Sequence, residues 1–273
     1  MLLNRTFALA SICLFAFSAP SVSEETSKIL FSNPLVRENA GPLKLQSLRF
    51  VTVDDFAPFS AFDANGTLRG VHVDLARAIC AELQITTGCT LQAAQFDDVE
   101  SLLISSQADV ALAGLVPNAQ NRKNLGFSVP YFRYSSKFLA RKNMVLDSKT
   151  VVGVVKDSAH QTMVKVLFPN LKQEVFETDL VAFSALKAGT VSALFGDGLA
   201  FALAQSSDPT FDCCALQSAN YFLPAVRADT LRAATSAARP DILLALDSAL
   251  KQIAVDGRLD EIYLRYLPIN PLQ

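Results

Sequence analysis

The chain has no tryptophan, three methionines and two histidines among its 273 residues, and its formal net charge is only −2. This net charge gives no sign of the basic surface with which proteins bind nucleic acids or anionic membranes. Beyond residue 20, no apolar run approaches the roughly 20 residues that a transmembrane helix needs. P-loop, G-x-S-x-G and zinc-ligand spacings are missing too, so no cofactor, no metal site and no catalytic residue are predicted.

The sequence is rich in apolar residues. Apolar residues make up 51% of the chain and charged residues 18%, which allows a sizeable core in one large domain or two small ones. Nineteen phenylalanines and five tyrosines supply the aromatic contacts. The two histidines, His72 and His160, are far apart in sequence and are expected at surface or helix-start positions rather than as catalytic bases.

The N-terminus has the order of a secretory signal peptide. Arg5 precedes an apolar run at residues 7–17, and small residues follow, with a cleavage site near residues 21–23. We therefore expect a signal peptide at 1–23, a polar arm at 24–46 and a periplasmic location. A membrane anchor is the alternative, although the run is short. Cys13 lies inside the run without a small residue before it, so lipoprotein attachment is not expected.

Export gives the remaining four cysteines an oxidising environment. Cys80 ends an apolar helical stripe and Cys89 begins the next strand, so a disulfide between them is predicted to close this turn. Two buried thiols are the alternative. The state of the adjacent Cys213 and Cys214 stays open, because a vicinal disulfide is a strained and rare link.

Apolar periodicity predicts alternating strands and helices in two consecutive units that join near residues 141–143. This alternation is typical of an α/β fold with mainly parallel sheets, whose ligands bind at strand ends and helix N-termini. Asp74 is expected to N-cap the first helix, Asn65-Gly66 marks a turn, and Gly257 divides the last helical stretch. Strands are predicted at 48–53, 90–94, 109–113, 151–155, 173–176 and 191–195, and helices at 75–83, 98–105, 159–167, 180–187 and 240–267.

A colinear set of motifs covers roughly residues 47–270 and resembles the bacterial solute-binding protein family 3, the polar amino acid binders. The motifs are DFAPF at 55–59, GVHVDLA at 70–76, AGL at 113–115, QNR at 120–122, FSVPYF at 127–132, SAH at 158–160, ALKAG at 185–189, FGD at 195–197, DG at 256–257 and YLRYLP at 263–268.

The resemblance implies a two-lobed periplasmic-binding-protein-like fold of type II. Each lobe would be a mainly parallel sheet flanked by helices, with the ligand cleft between the lobes. Lobe 1 would comprise 47–141 and 228–273, and lobe 2 would comprise 142–227. The C-terminal segment would thus return to the first lobe, so that the chain passes twice through the hinge.

The resemblance also implies ligand contacts. Arg122 matches the arginine that grips the ligand α-carboxylate, for which a planar guanidinium is well shaped. Asp197 matches the carboxylate that receives the α-ammonium, and Phe56 and Phe96 match the aromatic residues around the ligand side chain. Without the motifs, Arg122 would be interpreted as a solvated surface residue, Asp197 as a turn or cap residue, and both phenylalanines as core.

Three further positions complete the predicted ligand site. Ser158 begins a second-lobe helix, where it could assist the carboxylate, although N-capping alone would explain a serine there. Gly114 and Val116 belong to the first-lobe loop of the motif. Cys80 and Cys89 fall where some family members carry a helix-to-strand disulfide.

Several residues depart from the family pattern. In the first-lobe loop, Val116 replaces a hydroxyl residue, Pro117 lacks a backbone donor, and Asn118 stands where threonine is usual. In the second lobe, Asp157 occupies a glycine position, and Ser192 replaces an aspartate. These departures weaken charge complementarity to a free α-amino acid.

The resulting hypothesis is a monomeric transport protein that closes on a polar amino acid or related small zwitterion and delivers it to an inner-membrane ABC permease. A cyclohexadienyl dehydratase-like enzyme on the same scaffold is one alternative, since fold does not fix function. A diverged binder or sensor of another small organic solute is the other, and Val116, Pro117 and Asp157 motivate it.

Overall fold

The computed structural model describes residues 45–85, 87–222 and 230–268. The predicted signal peptide, nearly all of the predicted arm and the predicted lobe limit at residue 228 lie outside these ranges. Within them, every helix falls short of the length and apolar character that a bilayer crossing requires.

The described residues form alternating strands and helices over most of their length. The strands are β1 (Leu48–Thr52), β2 (Asp55–Phe56), β3 (Ser60–Phe62), β4 (Leu68–Arg69), β5 (Cys89–Ala93), β6 (Val110–Ala111), β7 (Leu125–Arg133), β8 (Ser136–Arg141), β9 (Val151–Val155), β10 (Lys172–Phe176), β11 (Ala193–Asp197), β12 (Cys214–Leu216) and β13 (Thr230–Ser236). The helices are α1 (Val71–Glu82), α2 (Val99–Ile104), α3 (Ala159–Leu167), α4 (Asp179–Ala188), α5 (Gly198–Ser207), α6 (Pro240–Val255) and α7 (Arg258–Tyr266).

Two five-stranded sheets organise the molecule. The first has the order β5-β1-β6-β13-β7 and the second β10-β9-β11-β8-β12, while β2, β3 and β4 form a small separate sheet. In each large sheet, the three strands predicted from the βαβ rhythm pair in parallel. The remaining strands pair antiparallel, and they lie where the chain passes between the sheets.

The chain passes from the first sheet to the second through Tyr134 and Ser135, which link β7 to β8. The predicted junction near 141–143 is therefore wrong by one strand, because β8, assigned to the first lobe, pairs inside the second sheet. Local periodicity missed this passage, since the sheet that β8 joins depends on long-range pairing. As expected, the C-terminal segment returns to the first sheet, where β13 lies between β6 and β7.

Each sheet is covered by helices on both faces. In the first sheet, α1, α6 and α7 share one core with β1 and β7, while α2 packs on the other face. In the second, α3 covers one face, and α4 and α5 cover the other. Leu199 of α5 belongs to the core of the first sheet, so one helix of the second sheet packs against both.

Helix α1 begins earlier than predicted. It starts at Val71 after Gly70, whose φ of 130° and close approach to the Phe59 carbonyl exclude a side chain. Asp74 is therefore inside the first turn, and the predicted N-cap is wrong. Its carboxylate instead pairs with Arg77 (3.0 Å) and Arg265, which joins α1 to α7.

His72 lies at the start of α1, as expected, but it is fully buried rather than at the surface. Its Nδ1 is 3.3 Å from Thr52 Oγ1 and 3.4 Å from Ser60 Oγ, and its Nε2 is 2.8 Å from the Tyr131 hydroxyl. Burial lowers the pKa of His72 to about 3. The neutral imidazole thus connects β1, β3 and β7 inside the first core.

This burial predicts a pH-dependent stability. Below pH 6.5 the histidine binds a proton in the unfolded protein but not in the folded protein. The free energy of unfolding should therefore fall by up to about 1.4 kcal/mol per pH unit as the pH is lowered, until the pKa of the folded state is reached. Urea unfolding at pH 7.5 and pH 5.0 measures this slope, which should be shallower in His72→Gln. Tyr131→Phe keeps the imidazole and should keep the slope. Equal slopes in wild type and His72→Gln would contradict the prediction.

Both cysteine pairs are bonded. Cys80 and Cys89 are joined across the turn between α1 and β5, with a Cα–Cα distance of 6.4 Å, which confirms the predicted disulfide. Cys213 and Cys214, whose state the sequence left open, form a vicinal disulfide at the start of β12.

Removal of the first link should destabilise the protein. Closing a loop of this length contributes about 2–3 kcal/mol on the chain-entropy model, so a Cys80→Ser/Cys89→Ser variant should unfold at lower urea concentration by that amount. In a Cys213→Ser/Cys214→Ser background, a dithiol reductant should reproduce the loss. A urea midpoint that stays in place in both experiments would show that this disulfide adds no stability.

Candidate functional site

Four of the predicted ligand residues lie at the carboxyl ends of the parallel strands or on the loops that follow them. In the first sheet, Phe56 follows β1 and Gly114 follows β6. In the second, Ser158 follows β9 and Asp197 ends β11. Ligands of open α/β sheets bind at this end, where helix N-termini also point.

Phe56 and Gly114 touch. A Cβ atom at Gly114 would lie 2.9 Å from the Phe56 ring, and its φ of +75° also favours glycine. The half-buried Phe56 ring stacks at 4.9 Å on Phe59 and meets His72 edge-on at 5.7 Å. The buried histidine network therefore supports the aromatic surface of the first-lobe site.

Phe96 lies at the same end of the sheet but stands apart. It begins the short 3₁₀ turn Phe96–Asp98 after β5 and is 49% exposed. Core packing, the alternative considered for this residue, is therefore wrong. An exposed ring beside a strand end is available for a ligand.

Asp197 is the N-cap of α5. Its Oδ1 accepts hydrogen bonds from the amides of Leu199 (2.8 Å) and Ala200 (3.1 Å). Its Oδ2 accepts none within the described part of the chain. Burial raises the pKa of this carboxyl above its usual value, while the two amides oppose the shift. One oxygen is thus fixed by the helix, and the other is open to a cation.

Two further groups face Asp197. His160, in the first turn of α3, packs edge-on against Phe195 at 6.0 Å, and burial lowers the pKa of its imidazole. Tyr134, in the passage between the sheets, meets Phe132 edge-on at 4.9 Å. Burial and the charge of Asp197 raise the pKa of its phenol. At neutral pH this cluster holds one carboxyl, one neutral imidazole and one phenol.

Ser158 is the N-cap of α3. Its hydroxyl accepts the Gln161 amide at 3.1 Å and donates to the Val155 carbonyl at 2.6 Å, so the capping role that the sequence allowed is present. Asp157, just before it, is exposed and has a positive φ of 55°. An aspartate at this usual glycine position places a carboxylate beside the helix N-terminus.

The first-lobe loop folds around Asn121. This buried amide donates from Nδ2 to the Val116 carbonyl at 3.0 Å and accepts the Asn118 amide at 2.9 Å. Asn118 in turn accepts the amides of Gln120 and Asn121. Val116, by contrast, is 44% exposed, so an apolar side chain stands where a hydroxyl was expected in the family.

Arg122 is not brought together with the other predicted residues. Its guanidinium lies over the Phe127 ring at 5.6 Å, and it lines a cavity of about 320 Å³ together with Ser236 and the start of α6. In the first sheet, Ala234 of β13 lies opposite Ala111 of β6. Ser236 lies two residues from this pair toward the amino end of β6, and Gly114 lies three residues from it in the opposite direction. At about 3.3 Å per strand residue, the levels of Ser236 and Gly114 differ by about 17 Å.

Sequence reasoning missed Tyr134 and Asn121, and it expected His160 at the surface or at a helix start rather than as a catalytic base. Nothing in a local pattern marks Tyr134, since its position depends on the passage between the sheets. Among the described residues, no group of histidine, cysteine, aspartate or glutamate has the arrangement of a metal site. The arrangement can bind a cationic group at Asp197 and an apolar or cationic chain at Phe56.

Comparisons with known proteins agree with this architecture. Residues 48–269 match the bacterial extracellular solute-binding proteins, family 3. The chain is 26% identical over 214 residues to the arginine-binding periplasmic protein of Mannheimia haemolytica, an alignment that covers 78% of this chain and 87% of that protein.

Two solved structures show the same fold. One is the L-cystine solute receptor of Neisseria gonorrhoeae in its unliganded open conformation, with a TM-score of 0.69 at 14% identity over 83% of this chain and 95% of the receptor. The other is an ancestral cyclohexadienyl dehydratase, with a TM-score of 0.65 at 18% identity over 81% of this chain and 92% of the enzyme. The predicted two-lobed periplasmic-binding-protein fold is confirmed. Since the family match spans most of its length, this chain belongs to the bacterial extracellular solute-binding proteins, family 3.

Proposed function

We propose that this protein captures a polar amino acid or related small zwitterion between its lobes and delivers it to an inner-membrane ABC permease. It works in the periplasm as a monomer and does not convert its ligand. The observation that carries the proposal is the Asp197 carboxylate, which is held by a helix N-terminus with one oxygen open, in a chain of this binding-protein family.

Asp197 is suited to receive an ammonium group. The amides of α5 fix Oδ1, so Oδ2 keeps its direction without help from the ligand. A charge-assisted hydrogen bond from an ammonium would stabilise the ionised carboxyl, whose pKa burial raises. Ligand binding then lowers that pKa.

The aromatic and loop positions would hold the rest of the ligand. Phe56, supported by Gly114 and Phe59, offers a ring face, and the exposed Phe96 offers a second one. Such faces bind cationic chains through cation–π attraction and apolar chains through packing. Val116 and the helix beginning at Ser158 would border the ligand from the two sides.

Capture would be a closure of the two lobes. We assign the first lobe to residues 45–133 with β13, α6 and α7, and the second to residues 136–222. The passage at Tyr134 and Ser135 is short, and hinges of this kind absorb the rotation that closes a cleft on its ligand. Closure would bring Asp197 toward Phe56, and ligand contacts to both lobes would stabilise the closed form.

The location and the partner follow from the N-terminus and the family. The apolar run at residues 7–17 has the features of an export signal, and the arginine-binding relative is named a periplasmic protein. A binding component of this type needs a permease and an ATPase as separate chains.

A dehydratase is the second candidate, because an ancestral cyclohexadienyl dehydratase shares the fold. The neutral His160 beside Asp197 would provide a base and an acid for such a reaction. Incubation with prephenate or arogenate, followed by detection of the aromatic product, separates the two candidates. Turnover would replace the transport proposal.

A ligand screen tests the transport proposal. Thermal unfolding should be measured against the twenty amino acids and common organic acids. A ligand at 100 times its Kd should raise the free energy of unfolding by about 2.7 kcal/mol, or several degrees in Tm for a protein of this size. We expect the shift for one chemical group of polar amino acids. Unchanged melting across the whole panel would refute amino acid capture.

A charge-removing variant tests Asp197. Asp197→Asn keeps an oxygen for the α5 cap but loses the negative charge, so ligand affinity should fall roughly 10- to 100-fold. The unliganded protein should not lose stability, since burial disfavours the charged form in the fold.

Asp208→Asn is the matched control. Asp208 caps a surface 3₁₀ turn and pairs with Lys187 at 3.1 Å, which with the Thr210 contacts lowers its pKa to about 2. Its substitution should reduce stability and leave ligand affinity unchanged. Wild-type affinity in Asp197→Asn would remove Asp197 from the site.

A further inference from the structure

The loops at the carboxyl ends of the parallel strands carry a strong excess of negative charge. These loops comprise residues 53–59, 94–98, 112–124, 156–158, 177–179 and 197, and they hold eight acidic residues and three basic residues. The basic residues are Lys156, which pairs with Glu177 at 2.9 Å, and Arg122 and Lys123. The acidic residues are Asp54, Asp55, Asp97, Asp98, Asp157, Glu177, Asp179 and Asp197. The negative electrostatic potential of these residues concentrates cations and repels carboxylates.

The first-lobe loop carries its two cations, Arg122 and Lys123, only at its C-terminal end. It folds around the buried amide of Asn121, whose hydrogen bonds to Val116 and Asn118 fill the interior of the loop. The neighbouring Arg122 is engaged on Phe127, in the cavity that Ser236 also lines. The loop therefore presents neutral groups to the site.

The two cations nearest the passage are engaged elsewhere. Arg133 stacks its guanidinium on Phe222 at 4.2 Å. Lys137 lies opposite Gly196 in the sheet, and Gly196 is one residue before Asp197. Because successive residues of a strand point to opposite faces, the Lys137 side chain lies on the face opposite to that of Asp197. There it is buried against Gly198, with its amine 3.5 Å from the Ser218 carbonyl.

We infer that the cationic groups of the ligand carry its recognition and that its carboxylate adds little. The site takes small amines and guanidines, including those that lack a carboxylate altogether. This inference rests on the proposed function, because it concerns the ligand class of the same site. A ligand carboxylate would enter a field of acidic groups and gain no ion pair from the loop residues that the structure describes around Asp197 and Phe56, whereas each ammonium or guanidinium would gain one.

Matched ligand pairs test this inference by calorimetry on the purified protein. The pairs are arginine and agmatine, lysine and cadaverine, and ornithine and putrescine, in which only the carboxylate is removed. The Kd of each amine should lie within threefold of that of its amino acid or below it. Loss of the α-amino group instead, as in 5-guanidinopentanoate, should weaken binding at least 30-fold relative to arginine.

The possible outcomes are distinguishable. Amino acids that bind 100-fold more tightly than their amines would overturn the inference and leave the proposed function standing. Absence of binding by all these compounds to folded protein would overturn the proposed function and the inference together. An Arg122→Ala variant that loses affinity for arginine but not for agmatine would assign the carboxylate to Arg122 and also overturn the inference. Lys123→Ala, at the exposed neighbouring position, is its matched control.

Discussion

The amide of Gly198 donates a hydrogen bond to the Ser135 carbonyl at 2.8 Å, and the placement of the site depends on this contact. It fastens the first turn of α5 to the passage between the sheets. A Cβ atom at Gly198 would lie 3.0 Å from that oxygen and from the Lys137 side chain, so a larger residue would crowd this contact. Asp197 and Leu199 flank it, the first with its carboxyl at the cleft and the second in the core of the first sheet.

In this arrangement Asp197 can cap α5 and bind a ligand at the same time. Its Oδ1 holds the helix, and its Oδ2 keeps a fixed direction because the helix holds Oδ1. The capping role, which the sequence offered as the plain alternative to ligand binding, is thus compatible with the ligand role. A buried carboxyl with a raised pKa costs stability in the unliganded protein, as is common where a site is arranged for a partner.

Much of the α/β framework was predictable from local patterns. Helix α3 has the predicted bounds, and the division of the last helical stretch at Gly257 was foreseen, since both depend on short-range periodicity and glycine. The strands β7, β8 and β13 were missed, because their pairing depends on where the chain changes sheets. The burial of His72 was missed for the same reason: its polar partners come from three separate strands.

The candidate site was predictable as a set of loops, but not residue by residue. Asp197, Ser158, Phe56 and Gly114 lie at the expected strand ends. Whether Arg122 binds a ligand stays a prediction. In this structure the buried residue of its 3₁₀ turn is Asn121, while the arginine one position later is exposed. A linear motif cannot resolve a difference of one residue on so tight a turn, where successive side chains point in different directions.

The insertion of β13 between β6 and β7 also sets the order in which the molecule can form. Strands of the second sheet come from one continuous stretch, so this sheet can assemble as soon as that stretch is available. The first sheet begins at residue 48, but it lacks the inner strand β13 until residue 236 has been synthesised. The part of the chain synthesised first is therefore completed last, and its long-range pairing should limit the rate of folding.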